Sequence, residues 1–195
     1  MKILFALLCI GGIFSKPFML AAQPVDFFRE NIEIDISDTI CTVTGTYYFR
    51  NPSSRSLNIP VLYPIVINNR LPIFPEYISV KSVSGNKEIP FSRQKQAIRF
   101  NLSCPGQSII IFQVSYRQRT PFGYMEYILT TTKNWGRALE YAEYNIRLPA
   151  NLRLQHLSLK TDRITNFGDF TLYYTKKTSF LPAKNIIIKW ERSEP

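Results

Sequence analysis

Apolar and polar residues alternate along most of this chain with a period of two. The segment "IEIDI", residues 32–36, sets three isoleucines against two acids, and "CTVTGTYYF", "QAIRFNL" and "SIIIFQVSY" repeat the pattern. Such alternation is typical of antiparallel strands that bury one face and leave the other in water. Clusters of turn-forming residues separate these segments, so the pattern predicts about seven strands between Glu30 and Gln118.

The pattern starts again after residue 119. The segments "YMEYILTTT", "ALEYAEYNIRL", "LRLQHLSLK", "DFTLYYTKK" and "NIIIKW" each alternate, and a phase change near Gln155 and His156 indicates a β-bulge. We therefore predict an all-β fold. Residues 23–119 would form an antiparallel immunoglobulin-like sandwich, and residues 120–195 a smaller second β sheet unit packed on it.

Four prolines lie between residues 60 and 75. Proline cannot donate a hydrogen bond to a neighbouring strand, so this stretch predicts an edge strand followed by an irregular crossover between sheets. A binding loop is the alternative. If this edge and the last strand, Ile186 to Trp190, are both exposed, either could accept a strand from a partner protein.

The first 22 residues have the order of a secretory signal peptide. Lys2 precedes an apolar run from Ile3 to Phe14, and the small residues Ala21 and Ala22 follow. An uncleaved membrane anchor is the alternative, but the uninterrupted run is shorter than the roughly 20 residues that a span needs. We therefore expect an exported protein, periplasmic or extracellular, with no membrane span after cleavage.

The chain is basic, with 24 Lys and Arg against 14 Asp and Glu and a formal net charge of +10. A basic exported protein is drawn to anionic polymers. The basic residues are scattered rather than grouped into runs, which argues against nucleic-acid binding. The charge therefore indicates an anionic surface polymer, or another envelope protein, as the partner.

Two cysteines follow the predicted signal peptide, Cys41 and Cys104. An isolated pair in an oxidising compartment favours a disulfide, and the alternation places both sulfurs on apolar strand faces. Two buried free thiols are the alternative.

The sequence offers little for catalysis. His156 is the one histidine, no G-x-S-x-G motif occurs, and Glu140 and Glu143 would face opposite sides of a strand. We predict no catalytic residue, no metal and no cofactor. The prediction is a non-catalytic interaction or structural β module.

Aromatic residues are the positive signal. The segment "EYILTTTKNW", residues 126–135, predicts a strand that ends in a turn, where Trp135 either anchors the turn to the core or stacks on a ligand. Tyr127 and Tyr141 are the other candidate ligand or anchor residues. Because Tyr141 lies on a face predicted to be wet, a carbohydrate-binding module that uses exposed Tyr and Trp is the alternative function.

The stretch "YILTTTKNWGRALEYAEYNIRLP" resembles the signature of an uncharacterised family of exported bacterial proteins, in which Y-x-L-T-T-x-x-N-W precedes an alternating strand. Thr132 stands where that family often has Gly. "CTVTGTYYFRNPSSRSLNIPVLYP" resembles the upstream half of that family and, more faintly, the first β-sandwich domain of inter-alpha-trypsin inhibitor heavy chains. The resemblance implies a bacterial, exported β protein of two packed parts and implies no activity.

Overall fold

The computed structural model of the chain describes residues 25–193. The predicted signal peptide, residues 1–22, lies outside the described residues. Within residues 25–193, no helix is both long enough and apolar enough to cross a membrane.

The described part of the chain consists of β-strands joined by turns and two short 3₁₀ helices. The strands are β1 (Asp26–Ile36), β2 (Ile40–Asn51), β3 (Leu57–Pro64), β4 (Tyr77–Ser82), β5 (Lys87–Glu88), β6 (Phe91–Arg93), β7 (Ala97–Cys104), β8 (Ser108–Arg119), β9 (Tyr124–Tyr127), β10 (Leu139–Pro149), β11 (Leu152–Leu157), β12 (Arg163–Asn166), β13 (Phe170–Phe180) and β14 (Ile186–Arg192). The 3₁₀ helices are Val83–Gly85 and Thr130–Trp135.

The strands form one large sheet and two small ones. The large sheet has the order β12-β13-β10-β1-β2-β8-β4-β5, and the small sheets have the orders β3-β7-β6 and β11-β14-β9. Neighbouring strands run antiparallel in the small sheets, and β1 and β2 do so in the large one, whereas β1 and β10 run parallel. The predicted all-β sandwich class is confirmed.

The small sheets pack against one face of the large sheet and enclose the core. Tyr47 on β2 meets Tyr63 on β3 with ring centroids 5.8 Å apart, and Phe100 on β7 meets Phe112 on β8 at 5.5 Å. The buried isoleucines of β14 belong to the same apolar cluster. The predicted boundary after residue 119 falls between β8 and β9, and strands from both sides of it join the large sheet.

Alternation along the strands decides which side chains reach this core. On β2, every second residue from Cys41 to Asn51 is buried, as the sequence predicts. The bulge predicted near Gln155 and His156 is confirmed by a register shift between Leu154 and His156 in the β11/β14 pair. The edge strand predicted at the prolines is also confirmed, because β3 pairs with β7 on one side only.

One strand predicted to be an edge is not one, and one strand was missed. The last strand, β14, is not an edge, because it lies between β11 and β9 and pairs with both. The short strand β12 was not predicted, since its four residues are mostly exposed and carry no clear alternation.

The expected disulfide is also wrong, because Cys41 and Cys104 are both free and buried. The main-chain carbonyl of Cys104 accepts a hydrogen bond from the Asn51 side chain at the end of β2, whereas Cys41 lies near the beginning of that strand. Ten residues of extended chain span roughly 33 Å, far beyond the roughly 6 Å between Cα atoms that a disulfide allows.

Candidate ligand-binding cavity

A cavity of about 450 Å³ opens between the two layers, at the level of the Thr130–Trp135 helix. Its floor is the inner face of β1, β2 and β8, and its sides are β3 and the segment from Tyr127 to Trp135. Cavities of this size accommodate small organic ligands. The lining residues are Phe27, Glu30, Tyr47, Phe49, Leu57, Asn58, Ile59, Pro60, Val61, Leu62, Tyr63, Pro64, Phe112, Tyr127, Ile128, Thr131, Thr132, Asn134 and Trp135.

The strand predicted over "YMEYILTTT" is confirmed in its first half as β9, whereas the Thr130–Trp135 helix replaces its second half. β9 ends at Tyr127, and the next residues turn away from the sheet. The Asn185 side-chain oxygen accepts hydrogen bonds from the main-chain N–H groups of Leu129 and Thr130, at 3.2 and 3.4 Å. Gly136 closes the helix in a left-handed conformation, and its N–H donates to the Lys133 carbonyl. The hydrogen bonds to Asn185, a residue distant in the sequence, therefore outweigh the preference of threonine for strands.

Aromatic rings form most of the inner wall. The Trp135 indole meets the Phe49 ring edge-on at 4.8 Å and the Phe27 ring at 6.2 Å. Phe27 stacks on Phe49 at 4.9 Å, so these three rings support one another. Trp135 is half-buried, because it packs on the core with one side and lines the cavity with another.

The rim of the cavity lies along β3. Pro60 and Leu62 are exposed lining residues, whereas Ile59, Val61 and Tyr63, which alternate with them along the strand, are buried. The free edge of this strand carries no donor at either proline, which discourages another strand from pairing there. The rim therefore suits a small ligand better than an added strand.

Glu30 is the buried acid of the floor. A β-bulge between Phe27 and Arg29 shifts the phase of β1, so both Phe27 and Glu30 face the core. The Tyr144 hydroxyl donates a hydrogen bond of 2.6 Å to Oε1 of Glu30. Burial raises the pKa of the Glu30 carboxyl from an ordinary value of 4.5 to about 7, and the Tyr144 hydrogen bond partly opposes this rise.

Three tyrosine hydroxyls meet beside this carboxyl. The Tyr47 hydroxyl lies 2.9 Å from that of Tyr63 and 2.7 Å from that of Tyr127. Burial raises the pKa of each of the three phenols, to about 12 for Tyr63. Three hydroxyls carry three donor protons but make two mutual contacts, so one proton is left to donate to Glu30 or to a ligand.

We expect Tyr47→Phe to destabilise the fold more than Tyr63→Phe. Tyr47 takes part in both hydroxyl contacts and Tyr63 in one of them. A lost buried hydrogen bond costs about 1 kcal/mol, and more when the partner is left unsatisfied. Urea denaturation should show a loss of roughly 2 kcal/mol in the free energy of unfolding for Tyr47→Phe and about half of that for Tyr63→Phe. Equal losses would contradict the central position of Tyr47.

The charge of the cavity differs from that of the chain. Glu30 is the sole carboxyl among the lining residues, and none of them is Lys, Arg or His. Within residues 25–193, no group of three or more His, Cys, Asp or Glu is placed to hold a metal ion. The arrangement can hold an apolar ligand and exchange hydrogen bonds with it, but it offers no second carboxyl for paired acid and base chemistry.

The predicted candidate residues separate into two places. Tyr127 and Trp135 both line the cavity. Tyr141 lies on the opposite face of the large sheet, where the Arg29 guanidinium and the Lys176 ammonium group lie 4.9 and 4.8 Å from its ring centroid. The Tyr141 ring therefore already has two cationic neighbours from the protein itself. His156 is exposed on β11, away from the cavity.

Glu30 was not predicted as a site residue, although the sequence carried a signal for it. Position 30 has the same parity as the isoleucines at 32, 34 and 36, which the alternation places inward. An acid in phase with an apolar strand face is the kind of buried polar group that needs a specific partner. Its partner, Tyr144, is 114 positions further along the chain and could not be assigned from the pattern.

No protein-family model and no curated protein matches this sequence. Solved structures are similar in fold. A proposed nutrient binding protein of Legionella pneumophila superposes with a TM-score of 0.70 at 13% identity, covering 88% of this chain and 68% of that protein. An M1 zinc metallopeptidase of Deinococcus radiodurans bound to a Tyr-Ser-Ala substrate gives 0.54 at 8% identity, covering 86% of this chain and 43% of the peptidase. At these identities the similarity concerns the fold alone.

Proposed function

We propose that this protein is a non-catalytic binding module whose ligand site is the cavity beneath the Thr130–Trp135 helix. The observation that carries the proposal is the cavity itself, whose aromatic inner wall is buried and whose rim along β3 is exposed. Because the cavity is already formed, binding does not have to offset the free-energy cost of ordering its wall.

The chemistry of the lining supports binding rather than turnover. Most lining side chains are apolar or aromatic, and the polar groups converge at the floor, where Glu30 lies near the hydroxyl cluster of Tyr47, Tyr63 and Tyr127. An apolar pocket with a few converging polar groups is the usual form of a small-molecule site. The fold is shared with a protein described as a proposed nutrient binding protein, which is compatible with a binding role.

The signal peptide predicted over residues 1–22 would place this module outside the cytoplasm. We include export in the proposal, with the module working in the periplasm or beyond the cell. Expression with and without residues 1–22, followed by fractionation, tests this part: the full chain should be recovered outside the cytoplasm and the shortened chain inside it.

A thermal-shift screen against a library of small apolar and amphipathic molecules tests the ligand site. A ligand present at a hundred times its Kd stabilises the folded state by about 2.7 kcal/mol, which corresponds to a rise in Tm of roughly 5 to 10 °C for a protein of this size. We expect some compounds of the library to raise the Tm of the wild type. The same compounds should raise the Tm of Trp135→Ala much less, because this substitution removes part of the cavity wall.

Phe122→Ala is the matched control. Phe122 is an exposed aromatic residue, 64% accessible, that does not line the cavity. Its loss should leave the ligand-induced rise in Tm unchanged. A library without stabilising compounds, or compounds that stabilise Trp135→Ala as strongly as the wild type, would refute the proposed site.

A further inference from the structure

We propose that the ligand of this cavity is an organic ammonium ion, held by the Glu30 carboxylate and the surrounding aromatic rings. This inference rests on the proposed function, because it names the class of ligand for the same site. It draws on three features of the cavity: the sign of its charge, the aromatic faces of its wall and the hydrogen-bonding position of Glu30.

The sign of the charge excludes anionic ligands and favours cations. The chain has a formal net charge of +10 and contains 24 Lys and Arg, yet no Lys or Arg among residues 25–193 lines the cavity. An anion would therefore enter a site with no positive partner and with a carboxyl on its floor. A cation would meet the only side chain there that can carry the opposite charge, in a setting where water screens little.

The wall supplies the aromatic surface that ammonium groups favour. The lining includes the rings of Phe27, Tyr47, Phe49, Phe112 and Trp135. Tyr47 and Phe112 stack with ring centroids 5.1 Å apart, and the Phe49 ring is tilted against Phe112 with centroids 5.5 Å apart. A cation over the face of such a ring gains about 0.5 to 2 kcal/mol, and several rings around one cation form an aromatic cage.

Glu30 has acceptor capacity left for a ligand. Among the described residues, the Tyr144 hydroxyl is its hydrogen-bond partner, and it contacts Oε1 only. A carboxylate accepts at both oxygens, so Oε2 remains for an ammonium N–H or for the charge of a methylated ammonium. Glu30 is 2% accessible and lines the cavity, which places that charge at the deep end.

The groups around Glu30 make its charge responsive to a ligand. Tyr144 on β10, Tyr47 on β2, Tyr63 on β3 and Tyr127 on β9 face it, and the pKa of each phenol is raised, so all four stay neutral through neutral pH. Without a ligand the carboxyl takes up a proton near neutral pH, because burial disfavours its charge. A bound ammonium ion favours the carboxylate, so binding releases a proton below neutral pH and strengthens as the pH rises.

Calorimetric titration with two matched pairs of probes tests the inference. Choline and 3,3-dimethylbutan-1-ol share a shape and differ in charge, as do phenethylammonium and 2-phenylethanol. At pH 8 we expect the wild type to bind at least one cation about tenfold more tightly than its neutral counterpart, and this preference should shrink severalfold at pH 5.5. Glu30→Gln should remove the preference and leave the affinity for the neutral alcohols within about twofold.

Glu33→Gln is the control, because it removes an exposed carboxyl from the other face of β1. It should keep the wild-type preference for cations. If the alcohols bind as tightly as the cations, or if the preference survives Glu30→Gln, the ammonium ligand is refuted while the binding cavity stands. If neither cations nor alcohols bind, and the library also yields no ligand, the proposed function falls together with this inference.

Discussion

Glu30→Gln should abolish the contribution of Glu30 to the pH dependence of stability, a fall of about 2.5 kcal/mol in the free energy of unfolding between pH 5 and pH 8. Burial raises the pKa of the Glu30 carboxyl from 4.5 to about 7 in the folded protein, whereas in the unfolded chain the group returns to its ordinary value. Each tenfold difference in acidity between the two states corresponds to about 1.4 kcal/mol.

The sign of the effect follows from where the proton is bound. Below pH 4.5 the carboxyl is protonated in both states and contributes no pH dependence. Between pH 4.5 and 7 the folded state binds more proton than the unfolded state, so the free energy of unfolding attributable to Glu30 falls as the pH rises. Above pH 7 both states are ionised and the loss is complete.

Urea denaturation of both proteins at pH 5, 6, 7 and 8 measures this difference, since the contributions of all other groups cancel between them. The Gln side chain keeps an oxygen for the Tyr144 hydroxyl to donate to, so the variant is expected to fold. Glu33→Gln should follow the wild-type curve, because that side chain is exposed on the other face of β1. Parallel curves for the wild type and Glu30→Gln would show that the buried carboxyl does not hold its proton.

The strands could be predicted because their signal is local. A period of two identifies which residues of β2 face inward without knowledge of any partner strand, and those residues are the buried ones. The parallel neighbours β1 and β10 could not be predicted in this way. More than one hundred residues separate the paired positions Ile32 and Tyr144, and strand alternation is the same for parallel and antiparallel neighbours.

The Thr130–Trp135 helix shows where local preference fails. Three consecutive threonines favour a strand, but the segment is held as a helix by Asn185, which lies more than fifty residues away. The cavity depends on that helix, because Thr131, Thr132 and Trp135 form part of its wall. The sequence therefore identified Trp135 as a candidate residue without identifying the surface that it helps to form.

Prediction of the cavity floor would need both the local alternation of each strand and the packing of distant strands. The inward phase of Glu30 could be read from its parity with the isoleucines of β1. Its meeting with Tyr47 from β2, Tyr63 from β3 and Tyr127 from β9 depends on how the layers pack. No pattern within a single strand specifies that arrangement, because each pair of hydroxyls joins residues from different sheets.

A second large effect is expected for Gly123→Ala, which should destabilise the protein by roughly 4 kcal/mol. Gly123 precedes β9 with a φ of +57°, a conformation that costs an alanine about 1 kcal/mol. A methyl group there would also lie 2.2 Å from the main-chain carbonyl oxygen of Trp190. The Trp190 carbonyl cannot move away easily, because Trp190 belongs to β14, the central strand of its sheet. The main-chain N–H of Trp190 also donates a hydrogen bond to the Gly123 carbonyl.

Gly168→Ala separates the two causes. Gly168 has a φ of +83°, but a methyl group at this position would meet no atom within 4 Å. Its substitution should therefore cost only the conformational part, about 1 kcal/mol, in the same urea denaturation experiment. The difference between the two variants measures the crowding against β14. Equal losses would mean that β9 and β14 can separate locally to accept the methyl group, and the β9 side of the cavity would then be less rigid than its packing indicates.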